Sequence, residues 1–77
     1  MMHRRAKIIV LPMESLLAIL RGEKRLANLP PDSILQGATA RPREVHLQVQ
    51  SMRWPEVPEW SRLPEVPAIL QVSGAGA

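Results

Sequence analysis

Three observations predict a small α+β domain in which one helix lies on a three-stranded sheet, extended by a proline-rich C-terminal arm. A β-branched, nearly continuous apolar run from Lys7 to Leu11 gives way at once to an apolar pattern of helical period. Two strand-like runs, Ile34 to Ala40 and Val45 to Met52, flank a short turn. The segment Arg53-Trp54-Pro55-Glu56-Val57-Pro58 is then nearly rewritten as Arg62-Leu63-Pro64-Glu65-Val66-Pro67, and half of the chain's 8 prolines sit in these two copies. The organisation expected is a domain over 1–52, an arm over 53–70 and a small, uncharged, disordered tail over 71–77.

The first run suits a strand covered on both faces and ends at Pro12. Met13, Leu16, Leu17 and Leu20 then recur at helical spacing, so a short amphipathic helix follows. Pro12 fits its first turn, Glu14 complements its N-terminus, Arg21 its C-terminus, and Gly22 can take the left-handed cap. Glu23 to Asn28 is either one more turn or a charged loop. Leu29-Pro30-Pro31-Asp32 forces the chain to turn, because consecutive prolines cannot join a hydrogen-bond ladder.

The two later strands make a hairpin around Arg41-Pro42-Arg43-Glu44. Val45, Leu47 and Val49 alternate with His46, Gln48 and Gln50, which places the first set on a core face and the second outside. The register expected pairs Ala40 with Val45, Ala38 with Leu47, Gln36 with Val49 and Thr39 with His46, with Arg41 and Glu44 meeting across the turn.

Proline fixes φ and lacks a backbone donor, so the arm can be neither a helix interior nor a central strand. It should be extended and polyproline-like. Trp54, Val57, Trp60, Leu63, Val66 and Ile69 recur every three residues and could line one side of it. They need an apolar surface to cover, either the open face of this chain's sheet or a partner. Trp54, Val57, Trp60, Leu63 and Val66 are therefore the candidate interface residues.

Seventy-seven residues make one small domain whose core is worth about 3–5 kcal/mol net, so a staple is expected. Without cysteine, disulfides, thiolate zinc sites and cysteine catalysis are excluded, and self-association becomes the favoured staple. Phe and Tyr are absent, leaving the 2 tryptophans as the only large rings. The lack of cysteine fits a reducing cytoplasm. Arg4, Arg5 and Lys7 ahead of apolar residues look like the start of a secretory signal, yet Pro12 and Glu14 interrupt the apolar run, and no apolar run is long enough to span a membrane.

The formal net charge is +3, and its basic side is concentrated at Arg4, Arg5, Lys7, Arg21, Lys24 and Arg25. A basic end can attract phosphates; it can equally be a solvated surface. There is no Gly-x-Ser-x-Gly elbow, glycine-rich phosphate loop or metal-ligand cluster, so neither catalysis, a cofactor nor a metal is expected. His46 is the titratable residue most suggestively placed, sharing a face with Glu44, Gln48 and Gln50. Amides can read the edges of a base and histidine can stack on it; the same face can also be merely polar. Trp54 and Trp60 could stack bases, anchor a partner or close the core.

The succession of Lys7-Ile8-Ile9-Val10-Leu11-Pro12, a short leucine helix, Leu29-Pro30-Pro31-Asp32, a hairpin and Trp54-Pro55-Glu56-Val57-Pro58 resembles short uncharacterised proteins of tailed bacteriophages and prophages. The doubled Pro-Glu-Val-Pro and the Arg4-Arg5 start lie outside that pattern. The resemblance implies a phage accessory protein, many of which block a host protein or capture a nucleotide signal of host defence. Three functions are thus open: a non-enzymatic homo-oligomer that captures a small anionic nucleotide or a host protein, a nucleic-acid-binding protein using the basic first third, and an assembly subunit. For the first, Arg4, Arg5, Arg41, Arg43, His46 and Trp54 are the candidate ligand-binding residues.

Overall fold

A computed structural model of the chain describes residues 3–73. In chain order its elements are β1 (His3–Arg4), β2 (Ala6–Pro12), α1 (Met13–Leu20), β3 (Lys24–Leu26), β4 (Ile34–Ala40), β5 (Glu44–Gln50), β6 (Val57–Pro58), β7 (Glu65–Pro67) and β8 (Leu70–Val72). The main sheet has four strands in the order β4-β5-β2-β7, and two small ribbons, β1 with β6 and β3 with β8, complete the α+β fold.

The three strands expected from sequence are all present, but the sheet gains a fourth from the arm. β7 pairs parallel to β2, with Ile9 opposite Val66. Ile8 N–H donates to the Pro64 carbonyl and Ala68 N–H to that of Val10, both at 2.8 Å. Prolines are compatible with this position because β7 is an edge, where only one side of the strand must supply donors. The arm therefore extends the sheet sideways instead of lying across its open face.

β2 is the centre of the fold, antiparallel to β5 from Ala6 opposite Gln50 to Pro12 opposite Glu44. Leu11 is fully buried, and with Ala6, Ile9, Val45 and Val49 it forms the apolar core. α1 begins directly after β2, where Met13 N–H donates to the Arg43 carbonyl at 2.9 Å. It ends as the sequence indicates: Gly22 takes φ 77°, with Gly22 N–H bonded to Ile19 and Glu23 N–H to Ala18. This paired arrangement satisfies carbonyls that the last turn would otherwise leave orphaned. The helix packs against β2, β3 and β5, yet none of its residues is buried. Leu17 and Leu20 of the expected apolar stripe are 45% and 74% exposed.

The hairpin register agrees with the alternation at Ala40–Val45, Thr39–His46 and Ala38–Leu47. It departs at the far end, where a bulge between Leu35 and Gly37 places Leu35, not Gln36, opposite Val49. Across the turn, Arg41 N–H donates to the Glu44 carbonyl at 2.8 Å, while the Glu44 carboxylate turns to His46.

Glu23 to Asn28 adds no helical turn; Lys24–Leu26 pairs antiparallel with Leu70–Val72, and Ser73 N–H closes on the Glu23 carbonyl at 2.9 Å. Gln71 and Val72, expected in a disordered tail, are thus strand residues. The remainder of that expected tail, 74–77, lies outside the described residues.

A polar knot ties the Pro30-Pro31-Asp32 turn to the end of β5. Ser51, 1% exposed, donates its hydroxyl to Asp32 Oδ1 at 2.6 Å, and Met52 N–H donates to Oδ2 at 2.9 Å. The Ser51 hydroxyl is the main cause that holds the Asp32 carboxyl below its usual range of 3.8; the Met52 N–H and the Arg53 charge add to it, and desolvation opposes them. A depressed folded-state pKa contributes stability that is present above the unfolded value and lost as pH falls through the folded one. Melting temperature should accordingly fall on acidification below the ordinary carboxylate range. That fall should be shallower in Asp32→Asn, and an identical acid slope in the two proteins would show that the knot does not carry the effect.

Candidate functional site

The six candidate ligand residues do not converge on one site. Arg4 and Arg5 face the chain's own arm: the Arg4 guanidinium donates to the carbonyls of Pro58, Glu59 and Ser61, and Arg5 donates to the Trp54 carbonyl at 2.7 Å and to Glu56 Oε1 at 3.0 Å. Carbonyl-rich proline segments lack donors of their own, so two forked guanidinium groups are well suited to fix one in place. Trp54 lies on the core side of the sheet. There the Lys7 ammonium stands 4.9 Å above its ring, and both line an apolar cleft of about 260 Å³ with Ile9, Leu26, Leu29 and Val66.

Arg41 and His46 do share a site. On the open face of the sheet they border a polar hollow of about 380 Å³ together with Thr39 from β4, Gln48 from β5, Ile8 from β2 and Glu65 from β7. That volume is within the range of small-molecule pockets. His46 is held by its Glu44 neighbour, Nε2 lying 3.0 Å from Oε1, and its side chain is only 17% exposed. Beside it, Gln48 donates to Gln36 Oε1 at 3.1 Å, and Gln36 in turn donates to Gln50. The bulge is what turns Gln36 onto this face, so a backbone irregularity completes an amide chain of three residues.

Chemically, the hollow offers a cation at its rim, a hydroxyl, amide groups, an imidazole and a carboxylate. This donor and acceptor set can recognise a polar heterocycle carrying a negative group. Arg43 belongs to the adjacent turn and is exposed. Among the described residues no group of three His, Asp or Glu is placed to hold a metal ion, and no helix is long and apolar enough to cross a membrane.

Glu65 and Ile8 are the members that sequence reasoning missed. Ile8 sits in an apolar run that reads as wholly buried, and Glu65 reaches the hollow only through the parallel pairing of β7 with β2. The sole hint was the register, since Thr39 opposite His46 already marks the centre of the outer face.

The candidate interface residues also divide. Val57, Leu63 and Val66 are half-buried against their own chain, as is Trp54, whereas Trp60 is 82% exposed. Trp60 therefore does not fill this chain's core, and a loss of about 3–5 kcal/mol on its replacement, the figure for a core tryptophan, does not apply. Trp60→Ala should move the stability of the isolated chain by no more than about 0.5 kcal/mol. It should also remove the more red-shifted component of the tryptophan emission; a blue-shifted loss together with a large drop in melting temperature would contradict the exposed placement.

No protein-family model, no curated protein and no solved structure matches this chain.

Proposed function

We propose that the chain is a non-enzymatic, self-associating binding protein that captures a small anionic ligand of nucleotide type in the hollow around His46. The observation that carries this reading is the surface left uncovered. Among the described residues, large apolar side chains such as Leu20, Ile34, Leu35 and Trp60 are at least 60% exposed. Such side chains favour a partner.

The hollow supports the choice of ligand. Gln48 and Thr39 supply base-reading groups, Arg41 can meet a phosphate, and Glu65 can accept from an exocyclic amine. Two subunits would add a second set of such groups and more basic charge. The resemblance to short phage proteins extends the proposal to an anti-defence role in the host cytoplasm, by stoichiometric capture of a nucleotide signal. Native mass spectrometry of protein purified gently from such cells, followed by denaturing release, tests this. The expected result is an oligomer carrying a discrete mass of a few hundred daltons. Protein that remains bare, and that binds no nucleotide from a mixed pool, would overturn it.

A second reading, an assembly subunit, is favoured by one observation, the exposure of Trp60 in the arm. It predicts capture of a larger particle component through that ring. A generic nucleic-acid interface has less support, because Arg4, Arg5 and Lys7 are engaged by the arm and Trp54, leaving Arg21, Lys24 and Arg25 as the exposed part of the basic third. Affinity for generic DNA or RNA that falls steeply with salt would revive it.

A further inference from the structure

We infer that a second copy of this chain adds to the free edge of β4, antiparallel, so that two four-stranded sheets join into one continuous sheet. The inference rests on the self-association proposed above and assigns it a place. β4 has one neighbour, β5, and all seven of its residues are exposed. An unpaired edge of this kind presents a row of N–H and C=O groups that another strand can satisfy.

The two edges of the sheet are treated differently by the sequence. β7, at one end, carries Pro67 and is flanked by Pro64, which remove donors and blunt that edge. β4, at the other end, reads Ile-Leu-Gln-Gly-Ala-Thr-Ala, with no proline and no charge. Its bulge at Gln36 is the one feature that perturbs it, and Ile34, Leu35 and the adjacent Met52 expose 60%, 61% and 66% of their surface beside it.

The charges at the two ends of β4 select a copy of itself as the occupant. Asp32 precedes the strand and Arg41 and Arg43 follow it. Antiparallel pairing centred on Gly37, the midpoint, sets Ile34 against the second copy's Ala40 and brings Asp32 of each copy toward the basic turn of the other. Parallel pairing would instead oppose like charges. A two-fold axis satisfies both edges with one interface and closes the assembly.

Hydrogen exchange and sedimentation of the full-length protein, measured together over a wide concentration range, test this. The expected result is a dimer mass at high concentration, with those amides of residues 34–40 that do not already pair with β5 becoming protected as the dimer forms. Ala38→Lys, which places two like charges diagonally across the axis, should weaken dimerisation by about tenfold or more while the circular dichroism spectrum is retained. A monomer at every concentration overturns both this inference and the self-association beneath it. An oligomer whose β4 amides exchange as freely as in the monomer overturns this inference alone. Should Ala38→Lys fail to fold, the exchange of the unaltered protein decides.

Discussion

Replacing Leu11 with alanine should leave little folded protein at room temperature. Leu11 is 0% exposed and sits on the central strand opposite Val45, within a core of five buried apolar residues among those described. Removing a leucine from such a site costs about 2–5 kcal/mol, because the lost transfer energy is joined by the cost of the cavity left behind. A domain of this size has about 3–5 kcal/mol in total. Denaturant titration followed by far-ultraviolet circular dichroism checks this. A midpoint close to that of the unaltered protein would mean that stability resides elsewhere, as in an interface stronger than the core. Association makes the apparent stability depend on concentration, so the comparison belongs at matched concentrations.

The second large effect is expected at Trp54. It is half-buried, lies under the Lys7 ammonium and lines the cleft in which Ile9 of the central strand meets Val66 of the arm. Its own carbonyl is held by Arg5, so side chain and backbone both fix the start of the arm. A fully buried tryptophan costs about 3–5 kcal/mol on truncation to alanine; for a half-buried one we expect about 2–3 kcal/mol. The loss should be accompanied by faster exchange of the Ile8 and Ala68 amides, which bridge β2 and the arm at 2.8 Å. Destabilisation with those two amides unaffected would separate Trp54 from the docking of the arm. The contrast with Trp60→Ala is informative, since the two tryptophans recur in one periodic pattern and have opposite surroundings.

That contrast marks where the sequence was legible. β2, α1 and the β4–β5 hairpin were readable because each is specified by its own residues: a β-branched run, a helical apolar stripe with a glycine cap, and an alternation flanking a turn. The first half of the hairpin register was readable for the same reason. The bulge was not. Gly37, Ala38, Thr39 and Ala40 are small and differ little in hydrophobicity, so the pattern lacks the contrast that would fix which residue faces the core at Leu35 and Gln36. The parallel strand β7 was hidden by its prolines, which argue against a strand in general and permit only an edge. β3 and β8 were hidden by length and charge, since Lys24-Arg25-Leu26 resembles a loop until the segment from Leu70 pairs with it.

The candidate site follows the same rule. His46 and Arg41 are brought together by a local hairpin, and that proximity could be read from the turn. Arg4 and Arg5 were grouped with them on charge alone, and their partners proved to be carbonyls more than 45 residues away in the arm. Glu65 entered the hollow by the same long-range pairing. The three-residue period of the arm marked real contacts at Trp54, Val57, Leu63 and Val66; Ile69, although 52% exposed, lines the cleft beside Trp54 and Val66, whereas Trp60, at 82% exposure, faces outward.

The first reading of function, a self-associating capture protein, depends on the exposed apolar surface being covered by another copy of the chain. Sedimentation velocity of the purified full-length protein, from low micromolar to near-millimolar concentration, measures this directly. The account predicts a mass that rises with concentration from 8.6 kDa to a defined even multiple of it. A single species of 8.6 kDa across the whole range would contradict it.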